Sequence, residues 1–294
     1  SSSTQVVSKI SKANKINTTT VELVFENNQR MTLDFYGENI FRLFQDANGG
    51  ILREPQANPP AQILVDQPRK KVQNLNITDS NNEIQISTNQ LLVTADKNTN
   101  LLTIINKKTN QVAVQFVKPA SFDEKSSTLY LKENPTEYFY GGGVQNGRFS
   151  HKGKAISIEN QNSWTDGGVA SPTPFYWSTN GYGMMWYSFK KGRYDFGLKD
   201  KGTVQLSHDE NYIDVFFMLN ETPIQLLNDF YQLTGNPVLM PKFSFYQGHL
   251  NAYNRDYWKE DQKGTLFEDG KRYKESQKDQ TGIKESLNGE LGNN

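Results

Sequence analysis

The feature that most constrains this chain is a two-residue apolar period that recurs through its first two thirds with no helical period between the repeats. Val21, Leu23 and Phe25 alternate with polar neighbours, Met31, Leu33 and Phe35 repeat the pattern after Asn27-Asn28, and Ile40–Phe44 follows. Successive side chains of a strand point to opposite faces, so each run is a strand with one apolar face. After a surface connection rich in Pro, Gln and Asn (Pro55–Gln67), the period resumes at Ile84/Ile86, Leu91/Val93, Leu102/Ile104 and Val112/Val114/Phe116. The breaks between them, such as Asp96–Asn100 and Lys107–Gln111, hold the Asn and Thr residues that favour turns. Further strands are expected at Met184–Phe189, Asp195–Leu198, Thr203–Ser207 and Tyr212–Leu219. Short strands with turn signals and no helices among them predict a mainly β chain folded as an antiparallel β-sandwich of two packed sheets.

One helix is expected. Thr222 is a good N-cap, Pro223 suits the first turn and Gln225 completes a capping box. Ile224, Leu227, Phe230 and Tyr231 form an apolar face, and Gly235 followed by Pro237 ends it. The domain boundary falls near Asn236–Pro241, dividing the chain into residues 1–236 and 237–294.

Composition excludes several function classes. Lys+Arg and Asp+Glu balance at 32 each, so no charge excess suits nucleic acid or an anionic membrane. No run of about 18 apolar residues predicts a membrane span. The start SSSTQVVSKISK has no apolar h-region, so the chain is expected either in the cytosol or with a signal removed before Ser1. An extracellular or cell-surface location is the expectation, with the cytoplasm as its alternative; the richness in Asn, Thr, Ser and Gln does not decide between them. With no cysteine in 294 residues, disulfides, thiolate metal sites and a cysteine nucleophile are excluded. No cofactor or metal site is expected.

The stretch Tyr138–Ser188 carries the chemistry. Gly141, Gly142 and Gly143 stand in a row, and Trp164, Asp166, Phe175, Tyr176, Trp177, Tyr182, Trp186 and Tyr187 follow without a regular period. An aromatic ring covers the apolar face of a sugar while a carboxylate accepts its hydroxyl protons. Phe175, Trp186 and Tyr187 lie in or beside strand-like runs and read as core. Trp164 and Asp166 sit in a Ser/Asn/Gly-rich loop, Asn160–Pro174, which lacks the period of a strand, and these two are the better site candidates. No helical pattern follows the glycines, so a nucleotide-binding loop is rejected in favour of turns with positive φ or close backbone approach.

The order Tyr-Gly-Gly-Gly-Val-Gln, an Asn–Trp–Thr–Asp segment (Asn162, Trp164, Thr165 and Asp166), Pro-Phe-Tyr and Gly-Tyr-Gly-Met-Met-Trp resembles the N-terminal, galactose-mutarotase-like β-sandwich of glycoside hydrolase family 31. A second likeness, MPKFSFYQGHLNAYNRDYW at Met240–Trp258, is to the first strand of that family's (β/α)8 barrel. Together they span most of residues 138–258. The alternating run Lys242–Leu250 is then the strand, and the polar and aromatic residues after it lie where barrel active sites are built. His249, Asn251, Asn254 and Tyr257 become substrate-binding candidates with Trp164 and Asp166, although His249 reads equally as a core histidine. Residues 259–294 read as a long solvated, charged excursion, so the barrel is expected to be truncated after roughly one strand.

What the resemblance implies is a retaining α-glycosidase. Such an enzyme needs two carboxyl groups about 5–5.5 Å apart, and in this family both sit on later barrel strands, beyond Asn294. No catalytic residue is therefore assigned in this chain, which alone is expected to be inactive. Asp166 matches an aspartate that reaches the sugar subsites from the sandwich, with Trp164 as the adjoining wall. The partners implied are a carbohydrate and the remainder of the barrel. The run from Gly248 to Trp258 with its charged continuation is unlike the usual α-glucosidase pattern and looks closer to the bacterial α-N-acetylgalactosaminidase branch; an α-glucosidase or α-xylosidase of the same family is the alternative within it. A non-catalytic carbohydrate-binding sandwich is the alternative from another class.

Overall fold

A computed structural model describes residues 8–147, 149–161, 167–245 and 258–275. The chain divides into two compact units, with the division between Pro237 and Val238.

The first unit opens with a meander, β1 (Ile10–Lys15), β2 (Thr20–Phe25), β3 (Arg30–Phe35) and β4 (Ile40–Asp46). A second run follows: β5 (Asn76–Asp79), β6 (Glu83–Ser87), β7 (Leu91–Asp96), β8 (Leu102–Asn106), β9 (Gln111–Phe122) and β10 (Ser127–Lys132). Then come β11 (Phe139–Gln145), β12 (Ala155–Ile158), β13 (Val169–Ser178), β14 (Tyr182–Trp186), β15 (Gly192–Phe196), β16 (Thr203–His208), β17 (Tyr212–Leu219) and helix α1 (Pro223–Thr234). Among the described residues these strands make an eight-stranded sheet, β1-β2-β3-β4-β17-β14-β13-β11, and a nine-stranded sheet, β12-β15-β16-β10-β9-β8-β7-β6-β5. Every pairing is antiparallel, as the alternation predicts. The expected turns are made by asparagine in the left-handed region, Asn28 at φ 65°, Asn100 at 60° and Asn110 at 57°, a conformation Asn adopts more readily than most side chains. β1 has one buried residue, Ile10, and no alternation in its sequence announces it.

Inward-facing residues of both sheets share one core, with Leu33, Phe41, Ile86, Val93, Tyr176, Trp186 and Val215 all fully buried. A second apolar layer covers the outer face of the eight-stranded sheet, where Ile40, Phe175, Tyr187, Phe216 and Met218 meet α1 and Ile63 and Leu64 of the 47–75 connection. Phe175, Trp186 and Tyr187 are thus core residues, as read from their strands.

The capping box at Thr222 and Gln225 forms as expected, and Gly235 at φ 90° closes α1. Its buried face differs from the one expected. Leu226 and Leu233 are buried and Phe230 stacks on Phe175 at 4.3 Å, whereas Ile224 is 74% exposed and Leu227 38% exposed. The sheet selects the stripe one position round from the more apolar-looking one, because Leu226, Phe230 and Leu233 share a face at spacings of four and three.

Three other expectations are corrected. The loop Asn160–Pro174 is partly strand, since β13 begins at Val169, where pairing with β11 supplies the hydrogen bonds that no apolar period announces. Lys242–Phe245 forms a short 3-10 helix, closed by the Ser244 amide on the Pro241 carbonyl, instead of the start of an alternating strand. The charged stretch is solvent-exposed where it is described, as expected, but residues 258–275 form a hairpin, β18 (Trp258–Leu266) against β19 (Arg272–Glu275), turned at Gly270 with φ 77°; its continuation lies outside the described residues. Backbone pairing holds this hairpin despite its polarity.

Candidate functional site

The six residues expected to bind substrate, Trp164, Asp166, His249, Asn251, Asn254 and Tyr257, lie outside the described residues. What the structure describes is the root from which the segment of Trp164 and Asp166 departs.

The root is built on the three glycines. Gly141, Gly142 and Gly143 have φ of 112°, 79° and 78°, the region that glycine enters without strain. The β11–β13 register jumps there, from Gly141↔Tyr176 to Gly143↔Pro172. A Cβ on Gly143 would stand 2.1 Å from the Ser171 carbonyl oxygen, and one on Gly142 would stand 2.4 Å from Ile156 Cδ1. The glycines therefore serve close backbone approach, as the sequence reading held, and two nearby side chains hold the kink. His151 Nε2 lies 2.7 Å from the Gly141 carbonyl, which can only accept, so that nitrogen carries the proton. Gln145 Nε2 donates to the Gly142 carbonyl at 2.9 Å and to the Ser157 carbonyl at 3.1 Å.

Beyond Gln145 the chain leaves the eight-stranded sheet, makes β12 at the edge of the nine-stranded sheet and returns. The excursion is closed at its neck by two backbone bonds: the Asn146 amide donates to Gly168 O at 2.9 Å, and the Gly167 amide to Asn146 O at 2.7 Å. The residue directly after Asp166 is thereby fixed to the root. On the opposite flank Lys152 donates to Glu133 Oε1 at 3.0 Å and to the carbonyls of Glu137 and Asn134 at 2.6 and 3.2 Å. Glu137 is buried; burial pushes its carboxyl up, against the pull of the Asn134 amide, the Ser178 hydroxyl and Lys152. Its carboxylate accepts from the Asn134 amide and from the Ser178 hydroxyl, so it is a structural acceptor rather than a free acid.

An aromatic surface borders the root. Tyr140 stacks on Trp177 with centroids 4.5 Å apart, and Phe149, 88% exposed, meets the Tyr140 ring edge-on at 5.4 Å. Sequence reasoning missed Gln145, His151 and Phe149. Phe149 could have been found by the argument applied to Trp164, an aromatic in a Gly/Ser-rich loop with no apolar neighbours.

A shallow depression of about 400 Å³ lies beside the excursion, lined by residues that include Glu133, Lys152, Gly197 and Gly202. Two of its charges are paired with each other, Glu133 with Lys152, and Glu133 also accepts from the Gly202 amide at 3.0 Å. Among the described residues no three His, Asp or Glu side chains are grouped to hold a metal ion, and no helix is long and apolar enough to cross a membrane.

Residues 30–195 match the family model of the glycosyl hydrolase 31 N-terminal galactose mutarotase-like domain. An α-xylosidase of Lactiplantibacillus pentosus is 30% identical over 129 residues, and an α-xylosidase of Emericella nidulans 28% over 124. These matches take in 42% and 41% of this chain but only 16% of each relative. A dextranase of Flavobacterium johnsoniae, solved with isomaltotriose, superposes with a TM-score of 0.72 at 18% identity, over 82% of this chain and 30% of its own. An α-xylosidase from a soil metagenome, solved with xylose, gives 0.65 at 14% identity, over 79% and 36%. At those identities the likeness is one of fold.

Proposed function

The chain belongs to the glycosyl hydrolase 31 family, whose N-terminal galactose mutarotase-like domain it carries, and on that premise we propose that it works as the N-terminal part of a longer retaining α-glycosidase. The observation that carries this reading is the family match over residues 30–195, which takes in strands of both sheets and the glycine root. In this reading residues 1–236 are the sandwich and residue 237 opens the catalytic part, whose later strands supply nucleophile and acid/base. The sandwich contributes Trp164 and Asp166 to sugar binding. His249, Asn251, Asn254 and Tyr257 line the mouth of the barrel, and the β18–β19 hairpin is an insertion beside it. The enzyme acts outside the cell or at its surface.

The sugar we favour is α-linked N-acetylgalactosamine on glycans or glycoproteins, on the strength of the run GHLNAYNRDYW and the charged insertion that follows it. The second reading, an α-xyloside, is favoured by the names of the two curated relatives. Aryl α-glycosides of N-acetylgalactosamine, xylose and glucose, offered to the polypeptide extended through its barrel, separate them. Turnover is expected on the first, and none on any of the three overturns the glycosidase reading. Residues 1–294 alone should match buffer. In the extended enzyme Asp166→Ala should lower kcat/KM by about one to two orders of magnitude, the loss expected for a charged hydrogen-bond acceptor worth about 1.5–3 kcal/mol. A large fall in melting temperature with intact kinetics would make Asp166 a turn residue instead.

A further inference from the structure

We propose that Gln145 is a positioning residue for the substrate-binding segment: its side-chain amide bridges the two sheets and sets where the 146–168 excursion leaves the sandwich. The inference rests on the reading above that this excursion carries sugar-binding residues.

Gln145 is the last residue of β11, the edge strand of the eight-stranded sheet, and Ser157 belongs to β12, the edge strand of the other. No ladder joins these two strands; at the start of β11 the His151 amide donates to the Phe139 carbonyl at 2.9 Å, and at its end the approach is held by the Gln145 side chain. Gln145 is 8% exposed and its Nε2 donates one bond to each side, to Gly142 O and Ser157 O. Both partners are carbonyl oxygens, which only accept. An amide is one of the few groups of this size with two protons on a single nitrogen, and the assignment of its nitrogen follows from the partners.

The neck bonds begin at the next residue, Asn146, and end at Gly167 and Gly168. A shift of Gln145 is therefore passed directly to the backbone beside Asp166. Gly142 has no Cβ to resist such a shift, and Ile156 Cδ1 already fills the space where one would be. A bulky hydrophobic residue would suit a buried strand end for packing alone. The bidentate amide instead specifies one geometry, since a displaced chain leaves a buried carbonyl unpaired.

Two variants test this. Gln145→Met keeps the length and removes the donors. Gln145→Glu places a carboxylate against two carbonyl oxygens, and recovers one donor only when protonated. In the extended enzyme both should raise KM at neutral pH about ten- to a hundred-fold, the scale of an ångström-sized misplacement, with kcat within about three-fold. As pH falls, the ratio of Gln145→Glu to wild type in kcat/KM should climb, while that of Gln145→Met stays flat. A merely structural loss lowers the active fraction, so kcat would fall with KM unchanged in both variants, and that result overturns the proposal, as does wild-type kinetics. If wild type turns over no α-glycoside, the function proposed above fails first. Hydrogen exchange on residues 1–294 still decides the bridge: Gln145→Met should cut protection of the Asn146 and Gly167 amides at least ten-fold with β6–β8 unchanged, and unchanged protection at those two amides overturns it.

Discussion

The two sheets of the sandwich treat their outer faces differently. In the nine-stranded sheet β6, β7, β8 and β16 alternate between buried and more exposed residues, with Gln85, Thr94 and Gln205 outward. In the eight-stranded sheet β3, β4 and β17 are buried on both faces, because α1 and the 47–75 connection roof it. The roof encloses charge. Arg42 and Asp214 are both fully buried, and Arg42 donates to Asp214 through Nε at 2.7 Å and Nη2 at 2.6 Å. Its remaining N–H groups reach Glu54 at 2.8 Å, Tyr36 OH at 3.3 Å and the Arg53 carbonyl at 3.2 Å. All five donors of the guanidinium are used. Burial draws the Arg42 pKa down, but the Asp214 hydrogen bonds and charge outweigh it and hold it above the ordinary arginine value. Nearby, Arg69 takes both oxygens of buried Asp34 at 2.8 and 2.6 Å and lies 3.9 Å over the Tyr36 ring. The lesson is that a strand's outward charges can be fastenings for a second layer.

The largest test of this contrast is Arg42→Met, which leaves Asp214 buried without its cation and should cost about 3–5 kcal/mol. Thr94→Val, on the open face of the other sheet, should stay within about 0.5 kcal/mol. Urea denaturation of the chain measures both. A cost under about 1 kcal/mol at Arg42 would mean that the roof lifts away easily. The double change Arg42→Met with Asp214→Leu should recover most of the loss, because an apolar pair needs no desolvation of charge.

Next comes the helix that forms part of the roof. Leu226→Ala should cost about 2–5 kcal/mol, as for other buried leucines, while Ile224→Ala on the exposed side should change stability by no more than about 0.5 kcal/mol. Equal costs at the two sites would show that α1 presents a different face in solution.

The smallest effect sharpens the comparison from the nine-stranded side. His208 on β16 is fully enclosed, its Nδ1 donating to the Lys190 carbonyl at 2.9 Å, so its Nε2 accepts from the Tyr194 hydroxyl at 3.0 Å. Burial pushes it down to about 4, against the pull of the Lys190 carbonyl. The unfolded chain then binds a proton that the folded chain refuses between pH about 6.5 and 4, and stability falls as pH drops through that window. At about 1.4 kcal/mol per pH unit the loss is at most about 3 kcal/mol. The buried carboxyls of Glu137 and Glu210, both pushed up by burial, slope the other way. The difference between wild type and His208→Gln isolates the histidine. A difference that stays constant from pH 7 to 4.5 would mean that His208 charges in place.

The candidate site was legible only in part. The glycine run announced its own backbone, because positive φ is a property of residue type. Gln145 and His151 were not recognisable, since a polar side chain at a strand end or in a turn reads as solvent-facing until the strand opposite it is known. Trp164 and Asp166 were singled out by the absence of apolar neighbours, and the neck bonds at Asn146 and Gly167 now fix the backbone beside them.

What the sequence by itself determined is what acts over a few residues: the period that makes Ile84 and Ile86 share a face, the asparagine turns, the Thr222–Gln225 cap and the kink at Gly141–Gly143. Tertiary structure alone decided which elements gain a second covered face. It buried Arg42, Asp34 and Asp214 in strands that look half-polar, turned Leu226 rather than Ile224 to the sheet, and paired residues 258–275 into a hairpin. The reason is physical. Alternation reports the direction in which a side chain points, whereas burial depends on what a distant segment places there, and no local pattern encodes the partner.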